Sequence, residues 1–314
     1  MRKTLVTGGA GFIGSHLVDL LVERDHEVII LDDLSSGNKK NINPSPLVSF
    51  IEGDVRNEQI VMDTFRQYPT IDSVVHLAAQ SKVGPSLKSP QMDLDINVLG
   101  TVNVLEQARK HDVANFVISS SAAVYGHVES LPVSEQATPA PLSPYGVSKL
   151  SGEEYVKAYG RLYGLDVSVL RFSNVFGPRQ SAATEAGVIT IFIEQLLAGS
   201  APMIEGDGQQ TRDFIYVKDV VSAVANCLDM PDKTSHDRVY NVSTETMTSI
   251  EDLLRILCSA VDQPFKPIYR EERQGDIKHS YLTNKKLSDA FDWSPQTSLQ
   301  DGLRETVEYY KSLS

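Results

Sequence analysis

The chain has 314 residues, 41% of them hydrophobic and 22% charged, with 41 acidic against 29 basic side chains and a formal net charge of −12. This is the composition of a globular protein with a sizeable core, which excludes a disordered or collagen-like chain; the acid excess argues against nucleic acid as a partner. Cys227 and Cys258 are too few for a disulfide framework or a four-cysteine metal site, and no run approaches the roughly 18 apolar residues of a membrane span or has the form of a secretion signal. A reduced, cytoplasmic setting without membrane attachment is therefore expected.

Residues 4–7 read as a strand that runs directly into Thr7-Gly8-Gly9-Ala10-Gly11-Phe12-Ile13-Gly14. A helical stretch follows at 15–24, with Leu17, Val18, Leu21 and Val22 on one face. Strand, glycines and helix in that order predict a pyrophosphate cradle, because glycine lets the backbone approach a phosphate and the helix start offers unpaired N–H donors. The glycines fit two spacing templates, Gly9-x-Gly11-x-x-Gly14 and Gly8-x-x-Gly11-x-x-Gly14, so spacing alone selects no subfamily. Further strands are predicted at 27–31, 48–52, 73–78, 115–119 and 167–172, and a helix at 97–110. Several strands are apolar almost throughout, as strands covered on both faces should be. The fold class is α/β, a doubly wound parallel sheet of the Rossmann type. Beyond residue 176 the pattern breaks into Pro- and Gly-punctuated segments, interrupted by a strand-and-helix passage over 213–229 that is expected to return to the first sheet. The resulting division is a dinucleotide-binding domain, 1–173 joined by 213–242, interleaved with a smaller α/β substrate lobe, 174–212 and 243–314.

Asp32 ends the second strand 18 residues past Gly14, where a carboxylate accepts hydrogen bonds from ribose hydroxyls and repels a 2′-phosphate. Asp33 follows rather than an arginine, so the expected cofactor is NAD and not NADP. Asp54, after the third strand, is a candidate for the adenine amino group. Tyr145 and Lys149 lie one helical turn apart, an ammonium beside a phenol that can then serve as a base. Ser121, 24 residues earlier at a strand end, is placed to share the same substrate oxygen. A second Tyr-x-x-x-Lys match, Tyr281…Lys285, is far from any glycine loop and reads as chance. His76, at the end of the fourth strand, reads as packing rather than as an acid or base.

Taken in order, Thr7–Gly14, Asp32, Asp54-Val55, Leu77-Ala78-Ala79-Gln80, Asn97-x-x-Gly100-Thr101, Ser119–Gly126, Tyr145…Lys149, Arg171-Phe172-Ser173-Asn174, Arg212-Asp213-Phe214 and Arg273-x-Gly275-Asp276 resemble the extended short-chain dehydrogenase/reductase family. Within it they are similar to the nucleotide-sugar 4-epimerases of the UDP-galactose 4-epimerase type. The resemblance covers essentially the whole chain. It implies NAD held by Gly8, Gly11, Phe12, Ile13, Gly14, Asp32, Asp54, Val55, Leu77, Ala78, Ala79, Lys82, Asn97, Ser119, Tyr145, Lys149 and Phe172. Tyr145 would be the catalytic acid/base, Lys149 the ligand of the nicotinamide ribose, and Ser121 the group at O4. Lys82, Ser121, Tyr145, Asn174, Val188, Arg212, Arg273, Asp276 and Ser280 would meet a UDP-sugar, with the small Ser280 beside the C2 substituent. Related 4,6-dehydratases carry Asp-Glu after the strand-end hydroxyl; here Ala122-Ala123 stand there. The expected reaction is 4-epimerisation of UDP-glucose/UDP-galactose and their N-acetyl counterparts. UDP-glucuronate 4-epimerisation, nucleotide-sugar dehydration or decarboxylation, and a catalytically silent NAD-binding sensor are the alternatives. The resemblance also implies a homodimer formed through helices near 95–110 and 145–163.

Overall fold

The computed structural model describes residues 2–181, 187–229, 238–272 and 277–313. The chain divides into two compact units: Met1–Gly126 with Ala137–Phe172 and Val221–Tyr240, and His127–Gln136 with Ser173–Val220 and Asn241–Ser314.

In the first unit the order is β1 (Lys3–Thr7), α1 (Phe12–Glu23), β2 (Glu27–Asp32), β3 (Val48–Glu52), α2 (Glu58–Gln67), β4 (Ser73–His76), α3 (Val83–Lys88), α4 (Pro90–Leu94), α5 (Gly100–Lys110), β5 (Asn115–Ser121), α6 (Pro144–Tyr163) and β6 (Asp166–Phe172). The sheet runs β3-β2-β1-β4-β5-β6, every pair parallel. The chain reverses its direction of winding between β1 and β4, which opens a crevice at the carboxyl ends of those strands where a dinucleotide sits in such sheets. The core follows from the apolar strands: Leu5, Ile29, Val74, Phe116 and Val169 pack with Val61, Phe65, Val104 and Leu105 of the crossing helices. Helix α6 is well specified at both ends. The Ser143 hydroxyl accepts from Gly146 N–H, Pro144 occupies the first turn, and Gly164 leaves the helix at φ +72°.

The remaining elements are β7 (Asn174–Phe176), α7 (Val188–Leu197), β8 (Met203–Glu205), β9 (Thr211–Arg212), β10 (Phe214–Tyr216), α8 (Val217–Asp229), β11 (Val239–Val242), β12 (Thr248–Ser249), α9 (Ile250–Ala260), β13 (Ile268–Arg270), β14 (His279–Ser280), α10 (Lys285–Phe291) and α11 (Leu299–Leu313). One expectation is corrected here. The strand of the 213–229 passage, β10, pairs with β7 in its own two-stranded sheet, and the seventh place in the large sheet, beside β6, is taken by β11. The cause is that only Ser173 separates β6 from β7, so a second short strand is available for the buried run Phe214–Tyr216. Residues 127–136 belong with the second unit through Val133, which bridges to Leu282, and through Glu135 and Val133, which bind the Asn241 amide groups.

Two other boundaries bear on the site. β5 extends to Ser121, two residues past its predicted end, and the helix predicted from 97 begins as a π-turn over Asp95–Leu99 that carries Asn97 inward. Such wide turns are frequent at functional sites.

Glycine is required at two positions of the first loop. Gly8 has φ +71°, and a Cβ there would lie 2.8 Å from Ala78 N; a Cβ at Gly14 would lie 2.1 Å from Gly8 O. We expect Gly14→Ala to lower the thermal unfolding midpoint and reduce the nucleotide retained on purification, measured on one preparation by calorimetry and by chromatography of the released nucleotide.

Candidate active site

The glycine loop follows β1 and is held from two sides. Gly8 N–H donates to Leu31 O at 2.9 Å, and Ala78 N–H to Thr7 Oγ1 at 3.2 Å. Asp32, buried at the end of β2, accepts from Ala10 N–H on Oδ2 (2.9 Å) and from Leu34 N–H on Oδ1 (2.8 Å). Burial pushes its carboxyl up from the ordinary range, against the pull of those backbone donors. A carboxylate has about four acceptor positions, so the group keeps capacity for a ribose hydroxyl. Helix α1 begins with no side-chain cap and no acid in its first turn, so Phe12, Ile13 and Gly14 present their N–H groups to an anion. A Cβ at Gly11 would press on Gly8 O at 3.2 Å, closing the space the backbone keeps open. These features fit an NAD dinucleotide. Downstream, the Asp33 carboxylate is bound by Ser35, and Lys39 is paired with Glu52 at 2.8 Å.

Asp54, the candidate for the adenine amino group, is held by its neighbour Arg56. Arg56 donates to it from N, Nε and Nη2, and holds the carboxyl below its usual range. Asn103, which sequence reasoning missed, fixes this turn by donating to the carbonyls of Val55 and Arg56.

The catalytic candidates meet where α6 docks on the end of β5. Ser119, Ser120 and Ser121 each face a residue from a successive turn of the helix. The Ser121 hydroxyl lies beside the Tyr145 phenol and eases its ionisation. Lys149 Nζ donates to Ser119 O at 3.0 Å, and Ser120 Oγ donates to Glu153. The spacing 145, 149, 153 puts all three on one helix face. Glu153 is fully buried and accepts from Arg171 Nε (2.9 Å) and Nη2 (2.6 Å), while the Arg171 guanidinium lies 4.7 Å from the Tyr125 ring centre. Sequence reasoning passed over Glu153. Its signal was a carboxylate one turn beyond Lys149 on the apolar side of the helix, which without a cation would be untenable.

Burial sets the electrostatics. Lys149 is pushed down to about 8, opposed by the charges of Asp93 and Glu153. The Tyr145 phenol is pushed up, chiefly by desolvation, with the Ser121 hydrogen bond pulling it back. The chain alone therefore holds Tyr145 as a neutral phenol and Lys149 predominantly charged near pH 7. His76 bonds Thr7 Oγ1 (2.8 Å) and Thr101 Oγ1 (3.0 Å), and burial lowers it to about 3, so it stays neutral and braces β4 to α5. The Tyr281…Lys285 match does not form a helical pair, because Tyr281 precedes α10 and Lys285 Nζ pairs with Asp289.

Around this centre, Asn97 donates to Gln80 O (3.0 Å) and Ser148 Oγ (2.9 Å) and accepts from Gln80 N–H (2.8 Å), tying the 77–82 loop to α6. Leu77, Ala78, Ala79 and Lys82 lie on that loop, half-buried, with Lys82 N–H donating to Gln80 Oε1. Phe172 closes β6, in register with Ser121.

In the second unit, β9 and β14 are parallel neighbours with Arg212 opposite Ser280, so two of the substrate candidates stand side by side. Arg212 Nη1 donates to the Thr211 and Ile277 carbonyls. Asp213 is buried and binds Thr244 N and Oγ1, with its carboxyl pushed up to about 6 by desolvation. Asn174 is exposed on β7 and Val188 begins α7. Arg273 and Asp276 lie outside the described residues. Among the described residues there is no metal-binding cluster and no helix long and apolar enough to cross a membrane; Cys227 and Cys258 are free and buried.

A sheet in this order, with a glycine loop at the reversal and a Ser/Tyr/Lys set at the end of its fifth strand, defines an extended short-chain dehydrogenase/reductase. The chain belongs to the NAD dependent epimerase/dehydratase family, whose model matches residues 4–243. It is 39% identical to a UDP-glucose 4-epimerase of Mycolicibacterium smegmatis over 316 residues, covering 99% of each chain. It is similar to the crystal structure of Thermotoga maritima UDP-glucose 4-epimerase with UDP-glucose (TM-score 0.95, 39% identity, 100% of both chains). The UDP-N-acetylglucosamine 4-epimerase of Methanobrevibacter ruminantium, in complex with UDP-N-acetylmuramic acid, matches with a TM-score of 0.94 at 35% identity, covering 100% of this chain and 99% of that one.

Removing one member of the Glu153–Arg171 pair strands a buried charge. We expect Glu153→Leu to cost about 3–5 kcal/mol in urea unfolding and Glu153→Leu with Arg171→Met to recover most of it; an additive double variant would show that the pair does not act as a unit.

Proposed function

We propose that the chain interconverts the C4 epimers of UDP-hexoses, both plain and N-acetylated, with NAD as a retained cofactor. The observation that carries this is the Ser121–Tyr145–Lys149 set followed by Ala122 and Ala123, whose methyl groups move no protons. Elimination of water across C5 and C6 needs an acid and a base at that strand end, and decarboxylation is disfavoured by the same absence; inversion at C4 needs neither. NAD, held by the glycine loop and Asp32, supplies a two-way hydride store. Tyr145 takes the O4 proton as the sugar is oxidised to its 4-keto form and returns it after the ketone has turned over. Lys149, anchored on Ser119 O, offsets the cost of the phenolate and holds the ribose hydroxyls; Ser121 keeps the substrate oxygen within reach of Tyr145. Affinity is assigned to the diphosphate and uridine through Asn174, Val188, Arg212, Arg273 and Asp276. Holding the substrate there leaves the sugar free to rotate. Ser280 offers little bulk at the C2 substituent.

The helices at the site also carry the surface proposed for pairing with a second copy: Leu99, Val147, Tyr155 and Leu162 are exposed on the π-turn and α6. Sedimentation should give twice the 34.6 kDa chain mass.

Incubation with UDP-galactose and with UDP-N-acetylgalactosamine should yield the respective 4-epimers by product chromatography. Inactivity on the N-acetyl sugar would restrict the reading to plain hexoses. Tyr145→Phe should lose about 10²–10⁴-fold in kcat while retaining bound NAD; an unaffected rate would remove Tyr145 from the chemistry.

A further inference from the structure

Asp93, on α4, is fully buried and has no part in the chemistry described so far. Its Oδ1 accepts from Gln80 Nε2 at 2.6 Å and from Asn97 Nδ2 at 3.3 Å, and its Oδ2 has no hydrogen-bond partner. Both donors are neutral amides. A buried carboxylate so weakly satisfied is costly unless a positive charge faces it. Among the described residues, Lys149 is faced by groups from four elements. From α6 comes Glu153, which is already matched by Arg171 of β6; from β4 comes His76, which is neutral; from β5 comes the Ser119 carbonyl. From α4 comes Asp93, whose charge acts on both Lys149 and Tyr145 and which has no cation bonded to it among the described residues. It is also joined by bonds to the turn that carries Tyr145, since Asn97 Nδ2 donates to Ser148 Oγ, which in turn donates to Tyr145 O at 3.0 Å.

We propose that Asp93 is a positioning residue for the proton-transfer pair: the counter-charge of Lys149 and, through Asn97 and Ser148, the brace of the helix turn that carries Tyr145. The inference rests on the assignment of Tyr145 and Lys149 above. Asp93 holds the two amides with their NH₂ groups inward, which leaves the Asn97 and Gln80 oxygens for the backbone N–H groups of the 80–82 loop. Its negative charge keeps Lys149 protonated in a site whose burial favours the neutral amine, and it makes the Tyr145 phenol harder to ionise.

The test is Asp93→Asn, which keeps the shape and removes the charge. Losing the charge lowers the affinity of both groups for a proton. The bell of kcat against pH should therefore move as a whole to lower pH by about one unit, with KM for the UDP-sugar within about twofold of the parent. Titration of ¹³Cζ-tyrosine-labelled protein, with the Tyr145 signal assigned by Tyr145→Phe, should show the phenol ionising at lower pH in Asp93→Asn. This readout needs no turnover, so it tests Asp93 even if the parent chain proves inactive, a result that would instead overturn the epimerase reading. Asp93→Glu should restore the parent profile, and Ser148→Ala should lower kcat without moving the optimum. A uniform drop in kcat for Asp93→Asn, with the pH profile and the Tyr145 titration unmoved, would overturn the inference. So would a Ser148→Ala variant with unchanged kcat.

Discussion

The docking of α6 onto the end of β5 is the constraint on which the site depends. Three consecutive serines meet three successive turns of one helix, and each contact has a different character: hydroxyl to phenol at Ser121, carbonyl to ammonium at Ser119, and hydroxyl to carboxylate at Ser120. A strand alternates its side chains between faces, so Ser120 cannot point where Ser119 and Ser121 do. The helix accommodates this by meeting Ser119 through its backbone and Ser120 through the long side chain of Glu153. The Arg171 guanidinium, shared between Glu153 and the Tyr125 ring, then ties β6 to the same junction. The buried ion pair adds little net stability of this kind in general, but it fixes which turn of the helix faces which residue of the strand.

Charge is handled locally throughout. In a chain at −12, each candidate site cation among the described residues is set against a counter-group. Lys149 stands among Asp93, Glu153 and the Ser119 carbonyl; Arg212 is oriented by two backbone carbonyls; Arg56 holds Asp54. The predicted phosphate cradle is built, among the described residues, from the N–H groups of the glycine loop and the start of α1, steadied by Asp32 through Ala10. Binding anions through backbone dipoles leaves the overall acid excess in place, which repels longer polyanions.

The parallel sheet, the glycine loop and the Tyr145/Lys149 pair were legible because each rests on a local pattern: apolar runs, a strand–glycine–helix order, and a four-residue helical spacing. What escaped reading depends on partners distant in sequence. Glu153 takes its meaning from Arg171, 18 residues away on β6, and Asp93 from the amides of Gln80 and Asn97 that surround it. The partner of Phe214–Tyr216 is not legible in the sequence, because a three-residue strand directly after β6, with only Ser173 between, has no periodicity to announce it. The attachment of residues 127–136 to the second unit rests on a single bridge and two side-chain contacts, which no composition reveals.

In the proposed epimerisation, the hydrogen removed from C4 returns to the same carbon after the sugar has turned, with no net redox change. Incubating the protein with UDP-glucose carrying deuterium at C4, in ordinary water, and recording both epimers at equilibrium by mass spectrometry and NMR tests it most directly. Deuterium should stay at C4 in substrate and product alike, with no NADH accumulating. Loss of the label to solvent, or stoichiometric NADH with a lasting 4-keto sugar, would contradict it.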